Sequence, residues 1–471
     1  MTEYRLTESE RDVYRRYAGL ALPRHTSYPI SPVWTTAYGP AEFRADLGRS
    51  AADRRPLSLY VHVPFCERLC YYCACNKEIV SPGKRREHDP GDDFLAGLEE
   101  ECERFAAIAG PGEVHQLHLG GGSPTFLSAG QLERLWSILT RRFALAAGAE
   151  VALEIDPRIT SRGQLQTLRG LGFNRVSLGV QDFDLRVQQA VNRVQPFALV
   201  EQSVGWCREL GFDSVNFDLI YGLPFQTIDS MTATLRQVVA LAPDRIAFYR
   251  LAVIPEIFRW QNVFGASDLP AGDLPLELNL LAINRFLAAG YEFIGLDHFA
   301  KPAEGLSQAR GNRSLHRNFQ GMTTGKELDV IGLGPSAISQ LATALAQNLK
   351  QSGGWRSGVA ADFATERGLR LSTDDCMRRE LMQQLYGYGA IDKRSLESRF
   401  GIRFDDYFAA ERLRLSDLVD DGLVALDDDV IRLREPLGRL LVRVVAAVFD
   451  HYLPAEAYRD GLDAGLSSKV G

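Results

Sequence analysis

The chain has 471 residues, of which 45% are hydrophobic and 24% charged, and a net charge of −7. That length can bury a large core divided over about two or three domains. The mild negative charge excludes a polyanion-binding footprint, and no apolar run reaches transmembrane length. The first ten residues are charged and lack the apolar core of a signal peptide. These features lead us to expect a cytoplasmic protein with no nucleic-acid or membrane partner.

From residue 57 to 295 the chain alternates two patterns. Short apolar runs rich in β-branched residues predict strands over 57–63, 116–119, 151–155, 175–180, 214–220, 245–250 and 292–295. Helical periodicity lies between them, for example over 131–143, 196–210 and 228–241. Strand–helix alternation predicts an α/β fold with a parallel sheet and helices outside. Cysteines follow the first strand and Gly120-Gly121-Gly122 the second. Glu154 ends the third, Gln181 follows the fourth and Asp218 ends the fifth. Parallel barrels gather their sites at that end of the strands, so these separated residues are expected around one mouth. Ser352-Gly353-Gly354 reads as a linker. Beyond it, helices over 373–385, 393–400 and 404–420 precede a hairpin over 422–433 and a closing helix over 438–452. That order suggests a small, mainly helical, winged-helix-like domain without a basic recognition helix, suited to packing rather than to DNA.

Cys66, Cys70 and Cys73 stand at C-x3-C-x2-C spacing. Three thiolates can wrap one face of a [4Fe–4S] cube, which ordinarily takes four cysteines, and leave one iron open. Zinc is the competing reading, with Cys75 as a fourth ligand, but no second, separated ligand pair follows. A disulfide fits poorly, because the cysteines crowd one loop and no secretory signal precedes them. Cys102, Cys207 and Cys376 are scattered singly and read as ordinary thiols.

The cysteine loop resembles that of radical S-adenosylmethionine (SAM) enzymes, whose open iron binds the amine and carboxylate of SAM. Glu154 can accept from a ribose diol, and Arg193 can fork a carboxylate. Glycines let backbone carbonyls approach an ammonium. Further segments carry a closer resemblance: Pro23-Arg-His-Thr-Ser-Tyr-Pro29, His118-Leu-Gly-Gly-Gly-Ser-Pro-Thr125, Glu154-Ile-Asp-Pro-Arg158, Gly179-Val-Gln-Asp-Phe183, Phe217-Asp-Leu-Ile-Tyr-Gly-Leu-Pro224, Leu315-His-Arg-Asn-Phe-Gln-Gly321 and Gly332-Leu-Gly-Pro-Ser-Ala-Ile338. Together they resemble the oxygen-independent coproporphyrinogen III dehydrogenases of haem biosynthesis over nearly the whole chain.

The resemblance implies an open, partial TIM-like barrel. Its expected parts are a substrate-covering segment (1–50), a radical SAM core (51–290), a barrel extension (291–355) and the C-terminal domain (356–471). It implies cluster ligation by Cys66, Cys70 and Cys73 and two SAM molecules in one cavity. The first would use Tyr60, Gly121, Glu154 and Ile338. The second would use Tyr72, Gly122, Ser123, Gln181, Arg193, Asp218 and Ala252. The implied reaction converts two propionates of coproporphyrinogen III to vinyls with loss of CO2, by radical abstraction of a propionate β-hydrogen. A separate one-electron donor and acceptor are required, and the protein is expected to be a monomer.

No catalytic side chain is assigned. Arg24 and Arg317 are candidate propionate partners, His298 and His316 candidate proton handlers, and Cys75 is left outside the cluster. One stretch departs from the family: Arg250 and Val253 replace an asparagine and a histidine beside the second SAM. Two alternatives remain open. A haem-trafficking protein on this fold would typically lack Cys75. Another porphyrin- or haem-modifying radical enzyme would differ in substrate turnover.

Overall fold

A computed structural model describes residues 3–110, 112–462 and 468–470. Twelve strands form one open sheet: β1 (Leu57–Val63), β2 (Glu113–Gly121), β3 (Ala144–Ile155), β4 (Arg175–Gln181), β5 (Ser214–Tyr221), β6 (Arg245–Arg250), β7 (Glu292–Gly295), β8 (His298–Ala300), β9 (Asp329–Leu333), β10 (Ile338–Gln340), β11 (Ala344–Asn348) and β12 (Thr365–Arg370). Their spatial order is β12-β11-β10-β9-β1-β2-β3-β4-β5-β6-β8-β7. The run from β9 to β6 is parallel. Antiparallel strands extend it at both ends. The sheet therefore never closes on itself, and its parallel strands deliver their C-terminal ends to a single face.

Helices cover the outside. Phe94, Leu95 and Leu98 of the helix Gly91–Ala109 and Leu132 and Leu135 of the helix Ala129–Thr140 pack into one continuous core with Leu59, Val61 and Leu119 of the strands. This explains why the parallel strands read as unbroken apolar runs: both faces of a parallel strand are covered, except where the inner face meets the cavity.

Four expectations require correction. Residues 292–295 do form a strand, but not a further parallel one. It pairs antiparallel with β8, which is itself antiparallel to β6. Ser352-Gly353-Gly354 is not a linker but the first turn of the helix Ser352–Ala361. Buried Trp355 anchors that helix on Glu101, and the helix spans the expected division at 355 and 356. The helix foreseen over 404–420 is two, Phe404–Tyr407 and Ala409–Asp420, broken at Phe408. The fully buried Phe408 ring packs on Phe404 and Phe449, so tertiary packing overrides local helical preference. The closing helix also divides, into Leu437–Leu440 and Val442–Phe449. There Gly438 lies so close to the Leu423 carbonyl that a Cβ would stand 2.0 Å from it.

The C-terminal unit packs around a second core, which includes Leu381, Leu396, Leu418 and Val445 and is shared with Leu276, Ile294 and Ala300 at the edge of the large sheet. Its hairpin, Val424–Leu426 with Val430–Leu433, gains a third strand, Ala390–Asp392, the arrangement of a winged helix. Tyr14, Tyr17 and Leu22 of the N-terminal segment pack into that same core, so the two ends of the chain meet beside the sheet. No helix among the described residues is long and apolar enough to cross a membrane.

Candidate active site

Beyond β1 the chain passes through Pro64 into the cysteine loop. Phe65–Cys66 pairs in parallel with Glu78–Ile79, closing the loop at its base. Its backbone is held from several directions. Tyr71 N–H donates to the Val191 carbonyl (3.0 Å) and Asn192 Nδ2 to the Leu69 carbonyl (2.7 Å). Trp260 Nε1 and Lys77 Nζ both donate to the Cys73 carbonyl (3.1 Å each). Backbone groups removed from water need such partners, and here they fix where the sulfurs point.

Arg158 Nη2 and Arg193 Nη1 donate to Cys70 Sγ at 3.6 and 3.7 Å. The Cys75 hydrogen bond draws the Cys73 thiol below the ordinary range, with Lys77 and Arg193 assisting. Burial, then the neighbouring Cys73 and Cys70, push Cys66 up to about 12. Guanidiniums at Cys70 and the Lys77 ammonium near Cys73 bring positive charge to the sulfurs of a cluster, while Cys66 would surrender its proton only on binding the cationic iron. Among the described residues no three His, Cys, Asp or Glu side chains converge on one ion-sized point.

The strand ends complete the wall. Tyr60, Tyr72, Gly121, Gly122, Ser123, Glu154, Gln181, Arg193, Asp218, Ala252 and Ile338 all line one cavity of about 1470 Å³ with Cys66, Cys70 and Cys73. Cys75 lines it too. Tyr60 stacks on His118 and bonds His62 Nδ1 at 3.0 Å. Gln181 adopts a left-handed backbone (φ 60°) as β4 ends, and its buried Oε1 has no hydrogen-bond partner. An orphaned buried acceptor in a cavity wall is what a ligand donor would satisfy.

The glycine triplet is also required by its protein neighbours. A Cβ on Gly121 would lie 2.6 Å from the His62 ring, and Gly121 also has φ 107°. One on Gly122 would lie 2.7 Å from the Phe65 carbonyl, and one on Gly120 2.7 Å from Glu154 Oε1. Gly122 lets the end of β2 lie flush against the start of the cysteine loop, while Gly120 and Gly121 make room for the Glu154 and His62 side chains.

Two charge networks underlie the cavity. Asp156, two residues beyond Glu154, accepts from Arg158 Nη2 (2.6 Å) and Arg193 Nη1 (3.3 Å). Burial works to raise the Asp156 carboxyl, but Arg193 and Arg158 outweigh it and hold it well below the usual range. Arg193 also donates from Nε and Nη2 to the Gly179 carbonyl (3.1 and 2.7 Å). It is therefore already engaged on three sides rather than presenting a free fork. Deeper, Glu150 joins Arg175 and Arg245 at 3.1 and 2.7 Å. Asp218 is the opposite case. It accepts from Ser177 Oγ (2.8 Å) and Asn216 Nδ2 (3.0 Å), yet burial, and then Glu154, raise its carboxyl to about 6.

The propionate candidates fare differently. Arg24 is ion-paired with Asp297, and Arg317 donates to the carbonyls of Arg24 and His25; neither lines the cavity. His298 does line it, and burial lowers its pKa to about 4, so its ring is neutral near pH 7. His316 faces a smaller neighbouring pocket. Val253 lies at the surface, off the cavity wall, while Arg250 lies on it. Asp156, Arg158, Lys77 and Trp260 escaped the sequence reading. Only Asp156 left a signal, as the carboxylate two residues after Glu154 at the period of a strand.

A match to the radical SAM superfamily covers residues 60–238, and one to the HemN C-terminal domain covers 371–441. The chain is 40% identical to the oxygen-independent coproporphyrinogen III oxidase of Escherichia coli, over 92% of this chain and 94% of that one. It is 42% identical to that of Pseudomonas aeruginosa, over 94% and 96%. It is 39% identical to that of Synechocystis sp., over 96% and 97%. The solved E. coli coproporphyrinogen III oxidase, described as a radical SAM enzyme, superposes with a TM-score of 0.89 at 38% identity, covering 96% of this chain and all of that one.

Proposed function

This chain belongs to the family of oxygen-independent coproporphyrinogen III oxidases, which are radical SAM enzymes, and on that premise we propose how its own residues serve the reaction. The function is the oxidative decarboxylation of coproporphyrinogen III to protoporphyrinogen IX, in which two propionates leave as CO2. When bound, a [4Fe–4S] cluster and two SAM molecules supply the one-electron chemistry that removes a hydrogen atom from the propionate β-carbon.

Cys66, Cys70 and Cys73 would hold the cluster, with Arg158 and Arg193 donating hydrogen bonds to Cys70. Tyr60, Gly121, Glu154 and Ile338 would border the first SAM, and Tyr72, Gly122, Ser123, Gln181, Arg193, Asp218 and Ala252 the second. Arg193 serves chiefly to orient: tied to Asp156 and Gly179, it keeps the wall rigid while its charge faces the cavity. His298, neutral and with a buried Nδ1 lacking a partner, offers the macrocycle a hydrogen bond. A cytoplasmic monomer served by separate electron donor and acceptor proteins accords with this reading. The functional divisions would follow the expected parts, with the last beginning near residue 371, where the large sheet ends.

The observation that carries the assignment of residues is the gathering of the strand-end residues and the three cysteines around one cavity. The test is anaerobic incubation of reconstituted protein with coproporphyrinogen III, SAM and a reductant. Each propionate requires one SAM, so about two SAM should be consumed per protoporphyrinogen IX, with two CO2 released. SAM cleavage that leaves coproporphyrinogen III intact would move the chain to another porphyrin- or haem-modifying reaction.

A further inference from the structure

The arginines of the cavity wall are mostly accounted for. Arg158 and Arg193 are paired with Asp156, and Arg175 and Arg245 with Glu150. Arg367 donates to Gln347 and the Ser31 carbonyl. Arg250, the last residue of β6, is different. Its Nη1 is buried without any hydrogen-bond partner, and among the described residues no carboxylate lies within ion-pairing distance of it.

Its neighbours deepen the imbalance. Arg24 stands close enough that both it and Arg250 depress the Arg443 guanidinium, which burial and these charges together lower to about 9. Arg443 spends its donors on the carbonyls of Leu22, Pro23, Ser468 and Lys469. The nearby carboxylate, Asp297, is taken by Arg24. Arg24, Arg250 and Arg443 thus lie near one another, and the one carboxylate beside them is already paired with Arg24. A buried guanidinium N–H without a partner in a cavity wall points to an acceptor brought by the ligand. The planar fork of arginine matches a carboxylate.

We propose that Arg250 binds a propionate carboxylate of the porphyrinogen and so sets how the macrocycle is presented. This rests on the function proposed above. A SAM carboxylate would be the other source of the same chemistry, and the test separates the two.

The test compares wild type, Arg250→Gln and Arg250→Lys as anaerobic holoenzymes. It measures KM for coproporphyrinogen III, Kd for SAM, and fluorescence-detected binding of coproporphyrin III and its tetramethyl ester. Loss of a charged hydrogen bond should raise KM and the tetra-acid Kd roughly 10- to 100-fold in Arg250→Gln, with Arg250→Lys recovering part. Ester binding and SAM Kd should be unchanged. The thermal midpoint of ligand-free Arg250→Gln should not fall, because no side-chain hydrogen bond or ion pair to the protein is lost. Unchanged tetra-acid binding, or a loss confined to SAM, would overturn the proposal. A wild type that cleaves SAM without converting coproporphyrinogen III would overturn the functional reading instead, before any variant is compared.

Discussion

Replacing Asp218 with Asn tests whether the electrostatics of the cavity are as the structure depicts them. In the ligand-free protein burial and Glu154 raise the Asp218 carboxyl from 3.8 to about 6. The folded chain therefore keeps this proton over a range in which the unfolded chain has already lost it. Stability is least affected below the unfolded value and falls as pH rises toward 6. Above 6 the ionised carboxylate costs about 3 kcal/mol, from about 1.36 kcal/mol per pKa unit. At pH 5 the same linkage gives a cost of about 1.6 kcal/mol. Asparagine keeps one acceptor for Ser177 or Asn216 and has no charge, so its polar losses should be nearly independent of pH. Urea unfolding of the ligand-free proteins at pH 5 and 7.5 should show the variant gaining on wild type by about 1.4 kcal/mol between the two. SAM affinity should fall at both pH values if Asp218 accepts from the second molecule. An unchanged stability difference between pH 5 and 7.5 would refute the account of Asp218 as a destabilised buried carboxylate.

Other outcomes follow from the same geometry. Substituting Ala for Cys66, Cys70 or Cys73 should abolish the roughly four irons and four sulfides per chain that reconstitution should install, while Cys75→Ala should retain them, as read by iron and sulfide analysis and visible absorption. Glu154→Ala should weaken SAM binding by about 1.5–3 kcal/mol in equilibrium titration and leave the cluster spectrum intact. Gly122→Ala would press a Cβ onto backbone at Phe65, which cannot swing aside, so the denaturation midpoint should drop by the equivalent of about 1–3 kcal/mol. Asp156→Asn should leave Arg158 and Arg193 without their carboxylate. It should cost about 3–5 kcal/mol near pH 7, and the gap should narrow in strong acid, where the wild-type carboxyl, held low by the two arginines, is finally protonated.

The sequence by itself was enough to place the six parallel strands from β1 to β6, because their covered faces demand apolar runs and their polar strand ends mark the mouth, but it missed β9, the parallel partner of β1. The cysteine spacing specified an open-iron cluster, since that chemistry depends on ligands only a few residues apart. Glu154, Gln181 and Asp218 could be chosen because a strand's end is a local property. What the sequence did not determine was how each charge is spent. Arg24 and Arg317 look as available in the chain as Arg250, yet Asp297 and backbone carbonyls claim the first two. Asp156 became the hinge of the site only when Arg193, 37 residues away, folded onto it. That His62 and Phe65 occupy the space a side chain at Gly121 and Gly122 would need was likewise not legible in the glycine triplet. Helix continuity at Phe408 yielded to the packing of its ring. Local pattern determines which groups reach the mouth of a parallel sheet; pairing, burial and steric exclusion depend on distant residues and belong to the tertiary structure alone.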